Sequence, residues 1–318
     1  MPVKVFVFLA VVALAACQAS TSSAVLRQAQ HDKGQGPADN TNGQRENAAG
    51  GNGGSHVISV VTTFSTLNSF VQGVGGARVR VRNLVPVGAS PEDYQPAPQD
   101  IATLSNAQLV VENGLGIEVW LQHVIENASN PHVRVVVLSN GLPHIDHNPH
   151  LWMDPVLARV YVSKIRDQLS SMDPANAALY ARNAVAYQRK LAQLQHDIAK
   201  KIDTIPPSHR AMIIFHNAFD YYNHRFGIRT VGVIELSPGQ DPSPAYIAHL
   251  VDLARANNVR AVFSEPEYSP KLAQALARSA GIKIVTDLYD DSIGNKPQVA
   301  DYISMLRYDT DVIVNSLR

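Results

Sequence analysis

This sequence has a single cysteine, Cys17, among 318 residues, so no intrachain disulfide is possible. It lacks any surplus of charge: Lys and Arg number 27, and so do Asp and Glu. Neutrality argues against nucleic acid, which rewards a basic face. There is no P-loop, no G-x-G-x-x-G, no G-x-S-x-G and no H-E-x-x-H. These absences remove the usual signatures of nucleotide binding, serine hydrolysis and zinc proteolysis. No segment after the first apolar run is long and apolar enough to span a bilayer.

That first run reads as an export signal. Lys4 is the only charge in residues 1–17, Val5 to Ala13 is apolar, and Leu14-Ala15-Ala16-Cys17 follows. The run is too short for a spanning helix and suits a signal h-region. Leu-Ala-Ala-Cys resembles the bacterial lipobox, in which the cysteine is lipidated and would anchor the chain to a membrane. The alternative is ordinary cleavage after a small residue, which leaves a free thiol. Residues 18–55 are rich in Ser, Thr, Gln, Asn and Gly and poor in large apolar side chains. Such a segment cannot bury a core and is expected to be a disordered tether, with a root-mean-square span of roughly 34 Å. His31 and His56 bracket it, as solvated side chains or as extra metal donors.

What is present in abundance is a metal-friendly loop. Pro143-His144-Ile145-Asp146-His147-Asn148-Pro149-His150-Leu151-Trp152-Met153-Asp154-Pro155 carries three histidines and two aspartates. Imidazole and carboxylate are the donors that first-row divalent metals take. The prolines restrict the loop, so less ordering entropy is lost when an ion closes on it.

Around this loop, short β-branched runs alternate with helical patterns. Strands are expected at 56–62, 78–84, 108–111 and 133–138, and helices at 64–74, 98–105 and 117–126. After residue 210 the rhythm repeats, with strands at 211–215, 230–234, 261–263 and 283–285 and helices at 219–226, 244–257, 270–279 and 299–315. Alternation of this kind implies α/β folding on mostly parallel sheets. Between the halves lie two consecutive helices, the first over 155–170. Asp173-Pro174 supplies an N-cap and a first-turn proline for the second, which is expected to run from 174 to 204, about 46 Å. Its apolar positions Tyr180, Ala184, Tyr187, Leu191, Leu194 and Ile198 form one stripe. The expected organisation is therefore a signal (1–17), a tether (18–55), two doubly wound α/β lobes (56–172 and 206–318), and a rigid linking helix (173–205). Ligands in such sheets bind at the carboxyl ends of strands. Four loops there carry suitable donors, two from each half, so a shared ion would sit at the lobe interface.

These loops, in this order, resemble the solute-binding proteins of zinc and manganese ABC importers, the cluster A-I metal-binding lipoproteins. Pro149-His150-Leu151-Trp152-Met153-Asp154-Pro155 is similar to the family's P-H-x-W-x-D-P motif, and Phe215-His216-Asn217-Ala218-Phe219-Asp220-Tyr221 to its S-H-D-A-F-x-Y motif. Val60 to Ser65, Ser264 to Leu272 and Asp301 to Leu317 match further family segments, so the resemblance covers nearly all of 56–318. It implies two α/β lobes joined by a long helix, with one metal between them. Carried over by position, the ligands are Glu92, His150, His216 and Asp291, with Asp290 and Asp287 as competitors for the last place. Glu92 stands in Pro91-Glu92-Asp93-Tyr94-Gln95-Pro96 where the family usually has histidine. Asn217, where the family has Asp, is a second departure.

The resemblance implies Zn²⁺ or Mn²⁺ as a transported ligand, an ABC-type metal permease as partner, and an extracytoplasmic, lipid-anchored, monomeric protein without enzymatic activity. His144 and His147 beside His150 would be a very short form of the histidine-rich loop in some zinc-importing relatives, or merely solvated residues. Three rivals remain: a metallohydrolase using Glu265 or Glu267 as base, a surface adhesin, and a binding protein for an organic solute.

Overall fold

The computed structural model describes residues 57–237 and 239–318. The expected signal, Cys17 lipidation site, tether, His31 and His56 lie outside these residues.

The first half alternates β1 (Ile58–Thr62), α1 (Ser65–Gly75), β2 (Val79–Asn83), α2 (Pro98–Ser105), β3 (Leu109–Glu112), α3 (Leu121–Ala128) and β4 (Arg134–Val137). Its strands pair in parallel in the order β2-β1-β3-β4. Two helices follow, α4 (Pro155–Met172) and α5 (Ala177–Ile202). The second half holds β5 (Ala211–Ile214), α6 (Asp220–Phe226), β6 (Arg229–Val233), α7 (Pro244–Ala256), β7 (Ala261–Phe263), α8 (Lys271–Ala280), β8 (Lys283–Val285) and α9 (Tyr302–Leu317). Its sheet runs β6-β5-β7-β8, again parallel. Both sheets thus have the same winding, and α5 joins the two lobes. Among the described residues no helix is long and apolar enough to cross a membrane.

Strand β5 shows how the second sheet is covered on both faces. Met212 and Ile214 join the main core, whereas Ala211 and Ile213 join a second cluster built with Leu250 and Ala254 of α7 and Leu276 of α8. That alternation is the period-two signature of a strand buried on both sides. The main core does not stop at the lobe boundary. It runs from Ile58 and Phe70 in the first lobe through α5 to Tyr302 and Leu317 of α9. The Phe70 and Tyr302 rings lie 4.6 Å apart, and the Tyr302 backbone N–H donates to Ser69 Oγ.

Helix α5 buries Tyr180, Ala184, Leu191, Leu194, Ile198 and Ile202, the expected stripe extended by one turn, with Tyr187 half-buried. Each fully buried Leu or Ile there contributes about 1.5–3 kcal/mol. The helix is shorter than expected: 26 residues, or about 39 Å. Pro174–Asn176 form a separate 3₁₀ turn. The expected Asp173 cap does not form, because the Asp173 side chain accepts from Asn176 Nδ2 and the Tyr180 hydroxyl instead of from the helix backbone.

The helix expected at 117–126 begins only at Leu121. Gly114, Leu115 and Gly116 all have positive φ, so the chain turns where the apolar pattern already looks helical. The turn places Glu118 under the β3 end, where it accepts from Thr63 Oγ1 and from the Asn113 and Gly114 backbone N–H groups. At Gly114 a Cβ would lie 2.5 Å from Val137 Cγ1, so glycine is required for space as well as for backbone conformation.

Candidate metal centre

Every candidate donor leaves the carboxyl end of a strand or the loop beyond it. Glu92 follows β2, His150 follows β4, His216 follows β5, and Asp290 and Asp291 follow β8. Each of these loops is pinned. Asn113 Nδ2 donates to the Pro149 carbonyl, and the Tyr161 hydroxyl holds Asn113 Oδ1. The 290–293 segment of the second lobe docks on the first. Thr66 Oγ1 is shared between the carbonyls of Asp290 and Asp291, and Trp152 Nε1 donates to the Asp290 carbonyl. Gly88 N–H donates to Ser292 Oγ, and Ile293 N–H to Ser65 Oγ. Asp154 caps α4 through Val156 N–H, while its other oxygen accepts two bonds from Arg225 of α6 at 2.9 and 2.6 Å. The P-H-x-W-x-D-P segment therefore both carries His150 and clasps the two lobes together.

The imidazoles of His150 and His216 meet with ring centroids 5.2 Å apart. His150 Nε2 lies 3.4 Å from Asp291 Oδ1 and 3.9 Å from Glu92 Oε1. His216 Nε2 lies 3.5 Å from Asp290 Oδ2, and its Nδ1 lies 3.5 Å from Glu265 Oε1. Among the described residues two groups bring donor atoms close enough to share an ion: His150, His216 and Asp291, and His216, Glu265 and Asp290. All are buried, and His150 Nε2, both nitrogens of His216, both oxygens of Asp291 and of Glu265, and Asp290 Oδ2 have no hydrogen-bond partner within the protein. Native interiors rarely tolerate such a set, because each unpaired buried group costs about 1–3 kcal/mol. Imidazole and carboxylate atoms converging in this way could hold a divalent cation.

Of the predicted residues, the structure brings His150, His216 and Asp291 together and sets Glu92 at the edge, with its side chain 15% exposed. Asp290 is close by and equally buried. Asp287 is not at the centre; its carboxylate accepts from the Tyr308 hydroxyl of α9. His144 and His147 are exposed and stacked, with centroids 4.5 Å apart. His147 lines a cleft of about 210 Å³ that leads inward past Glu92, Asn148 and Glu235 to His150 and His216. The Asn217 side chain turns to Asp220, at 2.6 Å, and its backbone carbonyl accepts from Asn148. Two residues that touch the histidines are not among the expected donors, although Glu265 is named as the base of the rival metallohydrolase reading. Asn148 holds His150, and Glu265 faces His216; Glu265 reads as an ordinary loop residue beside Pro266 but is 1% exposed.

Burial and the facing charges together set the protonation of this cluster. Burial raises the Glu92 carboxyl, with Asp291 and Asp93 adding to the rise and His150 and His216 opposing it. Asp290 is held well above the usual carboxylate range by burial, then by Asp291, Glu265 and Glu267, against His216. Burial favours a neutral His216, but Asp290, Glu265 and Asp291 outweigh it and hold the imidazolium proton well above the usual range. Glu267, half-buried and near Asp291 and Glu265, is pushed up to about 8 by desolvation and then by those charges. A divalent cation bound here would supply the compensating charge that these groups otherwise obtain from protons.

The family of the periplasmic zinc-uptake complex component A, ZnuA, matches residues 60–316. This chain belongs to that family. Among its relatives, the manganese-binding lipoprotein MntA of Halalkalibacterium halodurans is 34% identical over 267 residues, covering 82% of this chain and 88% of MntA. The iron-binding protein YfeA of Yersinia pestis is 32% identical, covering 80% and 85%. A crystal structure of ZnuA superposes with a TM-score of 0.74 at 28% identity, covering 82% of this chain and all of that one. The ZnuA fold, two parallel-sheet lobes joined by a long helix, is the one described above.

Proposed function

We propose that this ZnuA-family chain captures a divalent transition metal, Zn²⁺ or Mn²⁺, outside the cytoplasm and delivers it to an ABC-type permease. One observation carries the reading: buried, unpartnered imidazole and carboxylate atoms from both lobes face one another. His150, His216 and Asp291 form the core of the shell, with Glu92 as the fourth donor at the cleft. In relatives with histidine at position 92, three imidazoles would favour zinc; Glu92 adds an oxygen donor, which eases harder ions such as Mn²⁺. His144 and His147 present a donor pair at the mouth, suited to first contact with the incoming ion. Lipidation at Cys17 would keep the body near its permease, and the chain acts as a monomer.

Capture rather than turnover fits the site. A catalytic zinc keeps an open position for water beside a general base, whereas this shell closes on the ion from both lobes. The test is direct. The purified full chain is stripped with a chelator, offered equimolar Zn²⁺, Mn²⁺ and Fe²⁺, and assayed by elemental analysis. One retained equivalent, lost in H150A and H216A, is expected; no retained ion overturns the reading.

A further inference from the structure

Asn148 bridges the two lobes at the candidate site. Its side chain is buried, with 9% exposure, and makes three hydrogen bonds with different purposes. Nδ2 donates to the Asn217 carbonyl at 2.6 Å. That carbonyl belongs to the second lobe and is next in the chain to His216. With Nδ2 so committed, Oδ1 faces the first lobe, where it accepts the His150 backbone N–H at 2.9 Å and lies 2.9 Å from His150 Nδ1. An acceptor at Nδ1 requires the proton there, which leaves the Nε2 lone pair aimed at Asp291 and Glu92. The Asn148 backbone carbonyl accepts from the Tyr221 hydroxyl of α6 at 2.7 Å, and the same hydroxyl accepts from Ile145 N–H at 3.0 Å.

We propose that Asn148 is a positioning residue and inter-lobe latch, whose Oδ1 fixes the metal-ready tautomer of His150 while its amide N–H separately grips the backbone beside His216. This rests on the metal-capture reading above. The same side chain therefore registers lobe closure and prepares the ligand. When the loops part, the grip on Asn217 is released and the second lobe withdraws His216, while Oδ1 keeps His150 in its tautomer for the next ion.

Three variants of the full chain separate the roles. In N148D a carboxylate still accepts from His150 N–H and Nδ1–H, but nothing donates to the Asn217 carbonyl. In N148A both functions go. In Y221F the second lobe's grip on the Asn148 backbone is weakened, and the His150 contact is untouched. Stopped-flow transfer of Zn²⁺ or Mn²⁺ to excess chelator gives the release rate, titration the affinity, and long-range ¹H–¹⁵N spectra of the metal-free protein the His150 tautomer. N148D and Y221F are expected to release about tenfold faster with the Nδ1–H tautomer intact. N148A is expected to lose the tautomer preference and about 10–100-fold in affinity. Wild-type release rates in N148D and Y221F, or an unchanged tautomer in N148A, overturn the proposal. If the wild-type chain binds neither ion, the capture reading fails, and the tautomer comparison of N148D with N148A still decides whether Asn148 sets His150.

Discussion

His150 and Asp291 come from different lobes yet place Nε2 and Oδ1 3.4 Å apart. The gap is longer than a good hydrogen bond and is spanned naturally by an ion bound to both at about 2.0–2.2 Å. If that is their role, D291N lowers metal affinity by at least about 100-fold, since its loss exceeds the 10–100-fold cost of disturbing a supporting residue. D287N, whose carboxylate serves Tyr308, leaves affinity unchanged. Titration calorimetry on both variants checks the pair, and equal losses would reject the assignment.

Metal should also act as a folding ligand. An ion at a thousandfold excess over its dissociation constant stabilises the native state by about 4 kcal/mol. Thermal unfolding with and without Zn²⁺ or Mn²⁺ should show this gain in the wild type and none in H216A.

Acidity should oppose binding. His216, Asp290 and Glu92 all have raised pKa values, so in the metal-free protein they keep protons at higher pH than ordinary groups of their kind. The ion needs the deprotonated forms, so uptake expels protons, and affinity climbs with pH until these groups have ionised. Each proton displaced corresponds to about a tenfold change per pH unit. Titrations at pH 5 and 7.5, in buffers of different ionisation enthalpy, should show weaker binding at pH 5 and net proton release. Equal affinity at the two values would remove histidine and carboxylate ligation.

The clasp between Arg225 and Asp154 carries stability across the lobes. R225A removes two charge-assisted bonds from a carboxylate that is 4% exposed. The expected cost is about 2 kcal/mol in urea unfolding, because a bond to a charged group is worth about 1.5–3 kcal/mol and Asp154 retains its bond to Val156.

The Glu118 turn should be equally sensitive. E118L leaves the Asn113 and Gly114 N–H groups without their acceptor beneath the sheet, an expected loss of about 3 kcal/mol. Because Asn113 also holds the Pro149 carbonyl, metal affinity should fall with it.

The regular elements were legible because burial writes a period into the sequence. The stripe on α5 and the β-branched runs of both sheets are read from spacing alone. The helix start at Leu121 was not, because the apolar pattern of residues 115–121 fits a helix until the positive φ of Gly114, Leu115 and Gly116 is known. His150 and His216 stand out as imidazoles in distinctive loops. The adjacent Asp290 and Asp291 cannot be separated by spacing, since one residue reverses which way a side chain points. Glu265 and Asn148 were illegible for another reason. Their roles depend on contacts with residues 49 and 69 positions away, on chain segments whose approach only the fold determines. The proline-flanked position of Asn148 was the one available hint.

The apolar interior passes without interruption from β1 through Phe70 to Tyr302 and α9. Swinging the halves widely apart would peel aromatic rings off one another and expose greasy surface to water, a penalty far larger than the grip of a few loop contacts. Any opening between the halves must accordingly be a small slippage of the rim loops, while the body behind them stays whole.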